Sequence, residues 1–175
     1  MGLTRTFYIV RKGKLTVKDF NKMKKVFSEV CGDSCTIYYG ETLDWIPLFA
    51  TSICEGTYYI DDSKLAVMEE ISGSPVMACS VFDSDVALIH FCRTGEISHH
   101  IYADEAALEE FGFEEYSTEP PGFLCDYGVD RKKLIEIWKE ENIFAEECLY
   151  QIAKLMKTIL VFDHDEKYEG IMVVR

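Results

Sequence analysis

No stretch of this chain stays apolar for the roughly 18 consecutive residues that a membrane-spanning helix needs, which excludes a helical membrane span. The first residues, Met1-Gly2-Leu3-Thr4-Arg5-Thr6-Phe7-Tyr8, lack the apolar core and small-residue cleavage site of a secretory signal. Met1-Gly2 alone invites N-myristoylation, but Arg5 and Thr6 run straight into a β-type segment. The expectation is a cytoplasmic protein. A fixed-period repeat, a low-complexity tract and a dividing linker are also missing, so the 175 residues are read as one domain, 1–175.

Catalytic signatures are equally scarce. There is no P-loop, no G-x-G-x-x-G, no G-x-S-x-G and no H-E-x-x-H. The sequence therefore names no reaction and no cofactor is expected. Nor is there a disulfide framework: the seven cysteines are odd in number and irregularly spaced. They read as reduced, buried thiols. The one close pair, Cys31 and Cys35, has no second pair to complete a structural zinc site.

What is present is an ordinary globular composition, 48% hydrophobic and 28% charged, too apolar for a disordered chain. Its net charge of −13 is polarised. The first thirty residues carry eight basic side chains and two acidic ones, which leaves −19 on the rest. Such an acidic body repels a phosphate backbone, so no nucleic-acid partner is expected. A protein with a basic surface is the natural complement. Acidity of this kind also serves plain solubility.

Secondary-structure patterns alternate. Residues 6–11 read as a strand ending at Lys12-Gly13-Lys14. Thr16 and Asp19 make a capping box for a helix whose apolar stripe is Val17, Phe20, Met23, Phe27 and Val30, stopped by Gly32. Lys18, Lys22 and Lys25 lie on another face, the usual mark of a solvated surface. Residues 35–39 form a second strand, and Pro47 argues against a central strand around it. Residues 58–61 read as a short strand, and Asp62 caps a helix with Leu65, Met68 and Ile71 inward, closed by Gly73.

The clearest β signal follows. Residues 76–82, 86–92 and 97–102 form a three-stranded antiparallel meander turning at Asp83-Ser84-Asp85 and at Thr94-Gly95. Asp104 and Asp130 cap two further helices, the second with Leu134, Ile137 and Trp138 inward. Between them, 112–127 is a loop around Pro120-Pro121-Gly122. Phe144, Cys148, Ile152, Leu155 and Met156 mark a last helix, and 171–174 a last strand. The predicted fold is α+β: a mainly antiparallel sheet of about five to seven strands, centred on the meander 76–102, with helices packed on one side.

Two places carry candidate chemistry. With Thr94-Gly95 as a two-residue turn, Arg93 faces Glu96, Cys92 faces Ile97 and His90 faces His99. His90, Cys92 and His99 then share one sheet face, where two imidazoles and a thiol suit a soft divalent metal or a pH switch. A one-residue bulge would break that alignment, and the neighbourhood supplies no fourth ligand. The second place is acidic and aromatic. Glu109, Glu110, Glu114, Glu115 and Glu119 surround Phe113 and Tyr116, with Phe111 and Phe123 nearby. Acids steer and aromatics anchor a basic protein partner; alternatively, the aromatics fold back into the core and leave a solvated acidic face. Asp83-Ser84-Asp85 and Asp163-His164-Asp165 are read as turns, not cation sites.

Two functions are therefore expected. The first is a non-catalytic acidic protein-interaction domain, in concrete form an immunity-type protein that neutralises a basic partner such as a toxin. The alternative is an enzyme or a small-ligand or metal-binding protein with a pocket on the His90/His99 hairpin face.

Overall fold

The computed structural model describes residues 2–140, 144–162 and 167–175. Seven strands form one antiparallel sheet: β1 (Arg5–Arg11), β2 (Thr36–Gly40), β3 (Trp45–Phe49), β4 (Val76–Phe82), β5 (Val86–Arg93), β6 (Glu96–Tyr102) and β7 (Ile171–Val174). Their spatial order is β6-β5-β4-β1-β3-β2-β7. The meander thus supplies one half of the sheet, and β1 joins it to the other.

Helices cover both faces of this sheet, not one side. α1 (Val17–Cys31), the short α2 (Thr51–Cys54), α3 (Asp62–Ser72) and α4 (Glu105–Phe111) belong to the first face, where Phe20, Phe27, Ile53, Leu65, Met68 and Ala107 meet Tyr8, Val10, Ala78 and Leu88. α5 (Arg131–Lys139) and α6 (Ala145–Leu155) lie on the second, where Leu134, Trp138, Cys148 and Ile152 meet Phe7, Ile9, Met77 and Ile89. The reason is in the strands. β4 and β5 are apolar at odd and even positions alike, and a strand buried on both faces needs cover on both.

Other local expectations are refined. Against the expectation that Pro47 rules out a central strand, it sits in β3, between β1 and β2, opposite Ile9 of β1, although it cannot donate to a ladder. The β2–β3 ladder pairs only Leu48 and Phe49, the two residues that follow it, so no Pro47 amide is needed there. Residues 58–61, expected as a short strand, belong to none. Phe144 is the exposed N-cap of α6 and not part of its buried stripe. The hairpin register is as the turn requires: Thr94 and Gly95 both have positive φ, Arg93 faces Glu96, and His90 faces His99. Residues 163–165 lie outside the described residues.

The start of α3 differs by one residue, with consequences for the site. Asp61 is the N-cap, not Asp62: its carboxylate accepts from the Ser63 hydroxyl at 2.5 Å and from the Ser63 N–H at 3.0 Å. These bonds, the Ser63 hydroxyl first, hold the Asp61 carboxyl below its ordinary value. The folded state thus favours the ionised form. Its contribution is present above the unfolded carboxylate pKa of about 3.9 and is lost as pH falls through the lower folded value. Asp61→Ala is expected to cost about 1 kcal/mol at neutral pH. Urea titrations should show that gap narrowing below about pH 4; a gap independent of pH would contradict the capping role.

Candidate functional site

Because Asp61 takes the cap, the side chain of Asp62 is released into the space above β5 and β6. α3 packs across β4 and β5, which brings its first residue over the two histidines of the hairpin. Asp62 Oδ1 accepts from His90 Nδ1 at 2.6 Å, and Asp62 Oδ2 accepts from His99 Nε2 at 2.9 Å. One carboxylate therefore bridges two imidazoles, whose rings meet edge to face with centroids 4.4 Å apart.

The fourth member is Tyr116, whose hydroxyl lies 2.7 Å from His90 Nε2. Its position follows from the backbone beside it. Ser117 bridges to the β6 edge: its N–H donates to His99 O, and its carbonyl accepts from the Ile101 N–H. That bridge ties the loop to the strand and lays the preceding tyrosine over the histidines. With His90 Nδ1 donating to Asp62, Nε2 carries the lone pair and accepts from the Tyr116 O–H, so both ring nitrogens of this buried side chain are satisfied.

The electrostatics follow from burial and contact. Burial works against charge on Asp62, but the hydrogen bonds from His90 and His99 outweigh it and hold the carboxyl below its usual range. His90 is lowered, chiefly because burial disfavours the imidazolium, with the neighbouring His99 adding to this and Asp62 opposing it. Burial pushes the Tyr116 phenol up to about 12, with the Asp62 carboxylate adding to it. At neutral pH the group is therefore a carboxylate, a neutral imidazole at His90 and a neutral phenol.

These side chains floor a pocket of about 240 Å³, whose rim includes Tyr58, Tyr59 and Glu115. Tyr59 is 72% exposed and Tyr58 40%. Phe113 packs edge to face on Tyr116 at 5.5 Å and also lines the pocket.

The predicted residues divide accordingly. His90 and His99 come together as the register implied. Cys92 shares their face but sits two residues along the strand, roughly 6.5–7 Å on, buried against the core opposite Ile97. It is not part of the cluster; Asp62 is, and it was missed. The signal for it was the tandem Asp61-Asp62, of which only one can cap the helix. Glu109, Glu110, Glu114, Glu115 and Glu119 are all exposed. Phe113 and Tyr116 turn inward and are half-buried, and the exposed aromatics beside the acids are instead Tyr58 and Tyr59. His100 lies on the opposite face, bonded to Glu119 O and packed on Phe123. Asp83-Ser84-Asp85 is a turn whose Asp83 carboxylate accepts from the Gly2 N–H. No helix among the described residues is long and apolar enough to cross a membrane. No protein-family model, curated protein or solved structure matches the chain.

Proposed function

We propose that this is a non-catalytic acidic interaction domain of the immunity type, which neutralises a basic protein partner such as a toxin by covering its working surface. The observation that carries the reading is a juxtaposition. Glu115, on the exposed acidic stretch from Glu109 to Glu119, shares a pocket rim with two solvent-facing tyrosines. Exposed carboxylates raise the encounter rate with a cationic surface. Tyrosines at the rim of a concavity supply large, stiff anchors. A partner's arginine or lysine reaching into the pocket would meet the Asp62 carboxylate below the rim.

The test uses an oligoarginine peptide as the probe. Its affinity should fall steeply as salt rises. Changing Glu109, Glu110, Glu114 and Glu115 together to glutamine should weaken binding roughly tenfold or more. The same charge removed elsewhere, at exposed Glu41, Glu70, Glu147 and Glu169, should do far less. Equal losses from the two sets, or no binding at all, would sink the reading.

A second reading, a small-ligand protein or enzyme acting at the same pocket, is favoured by one specific observation: a buried histidine hydrogen-bonded at both nitrogens, to Asp62 and to Tyr116. Asp–His–Tyr is an arrangement able to hold and pass a proton. Ligand-induced changes confined to the pocket residues, unaffected by the four glutamine substitutions, would favour it over the first.

A further inference from the structure

We propose that Asp62, His90 and His99 form a binding site for a divalent first-row transition ion, with Tyr116 positioning His90 from behind. This goes beyond the partner-binding reading and does not depend on it. Among the described residues, these three are the group whose potential ligand atoms all lie within 4.8 Å of one another. Two imidazoles and a carboxylate are a donor set suited to zinc, iron(II) or cobalt(II).

The three ligands come from three elements, the first turn of α3 and the facing positions of β5 and β6, so the sheet register and the helix packing pre-set their separation. A tetrahedral ion with bonds of about 2.0–2.1 Å holds its ligands about 3.3 Å apart. The Asp62 contacts, now 2.6 and 2.9 Å, would open by roughly 0.7 and 0.4 Å to admit it. The pocket supplies the remaining coordination position, open to water or a small ligand.

Proton balance is simple. In the ion-free protein the His90 Nδ1–H and the His99 Nε2–H both point at Asp62. The nitrogen that meets the ion must present a lone pair, so on binding the ring proton of each histidine sits on its other nitrogen. For His90 that is Nε2, which then donates to the Tyr116 oxygen already 2.7 Å away. A ligating histidine whose second nitrogen is held by an oxygen is the usual outer arrangement of such sites. His90 is nearly inaccessible, with 6% of its side chain exposed, while Asp62 at 41% and His99 at 31% leave the approach open from the pocket side.

Cobalt(II) is the probe, because its spectrum reports its ligands. One equivalent added to the full chain should give d–d bands of a nitrogen and oxygen donor set, without the thiolate charge-transfer band that cysteine ligation would produce. His99→Ala and Asp62→Ala should each weaken binding more than about 100-fold, and Tyr116→Phe by about 10–100-fold. His100→Ala, on the opposite face, should leave it unchanged. Both ligand positions are partly exposed, and circular dichroism checks that the variants fold. A thiolate band, no cobalt spectrum, or binding indifferent to His99→Ala would overturn the proposal.

Discussion

Trp45→Ala is expected to destabilise the protein by about 3–5 kcal/mol, a loss of the size seen when a buried aromatic leaves a cavity behind. Trp45 lies on β3 and is fully buried on the second face of the sheet. Its ring meets Tyr127 and Phe91 edge to face, and the Arg11 guanidinium lies over it at 5.5 Å. Trp45→Phe should cost less than the alanine change. It keeps one ring and removes a buried indole N–H that has no acceptor among the described residues. Urea denaturation with an unchanged slope would report both; a loss under about 1 kcal/mol for the alanine variant would contradict burial of this face.

Phe27→Ala should cost a similar amount, about 3–5 kcal/mol, from the other side. Phe27 projects from α1 into the first-face cluster and is fully buried. The two clusters share no side chains, because alternate residues of each strand point to opposite faces. Losses on the two faces should therefore add. The milder pair Phe27→Leu and Ile152→Val allows this to be measured on a folded protein. The double variant should match the sum of the singles within about 0.5 kcal/mol. A large coupling would mean that the two faces are one connected core.

These core predictions bear on what could be read from the chain. The hairpin of β5 and β6 was legible in full, because a two-residue turn sets the register and period-two alternation does the rest. That placed His90 opposite His99. Asp62 was not legible, since it lies 28 residues from His90 and 37 from His99. Its arrival depends on where α3 crosses the sheet, which no local pattern states. The second layer of helices was legible in principle. Strands such as Val76–Phe82, apolar at both parities, announce cover on both faces, whereas a meander read by itself suggests one wet face. Tyr116 stood out as an aromatic among acids, but a loop residue's direction is set by long-range ties such as the Ser117 bridge to β6.

The acidic stretch and the pocket belong to one surface, since Glu115 lines both. The loop that carries Glu114 and Glu115 is the loop that the Ser117 bridge ties to β6, and its aromatics close the pocket while its acids face outward. Backbone amide chemical shifts followed during titration with the oligoarginine probe test this most directly. Changes should be concentrated at 57–62 and 105–119, with the basic face of α1 and the exposed Glu147 of α6 left unmoved. Changes spread evenly over acidic positions, or gathered away from the pocket rim, would contradict it.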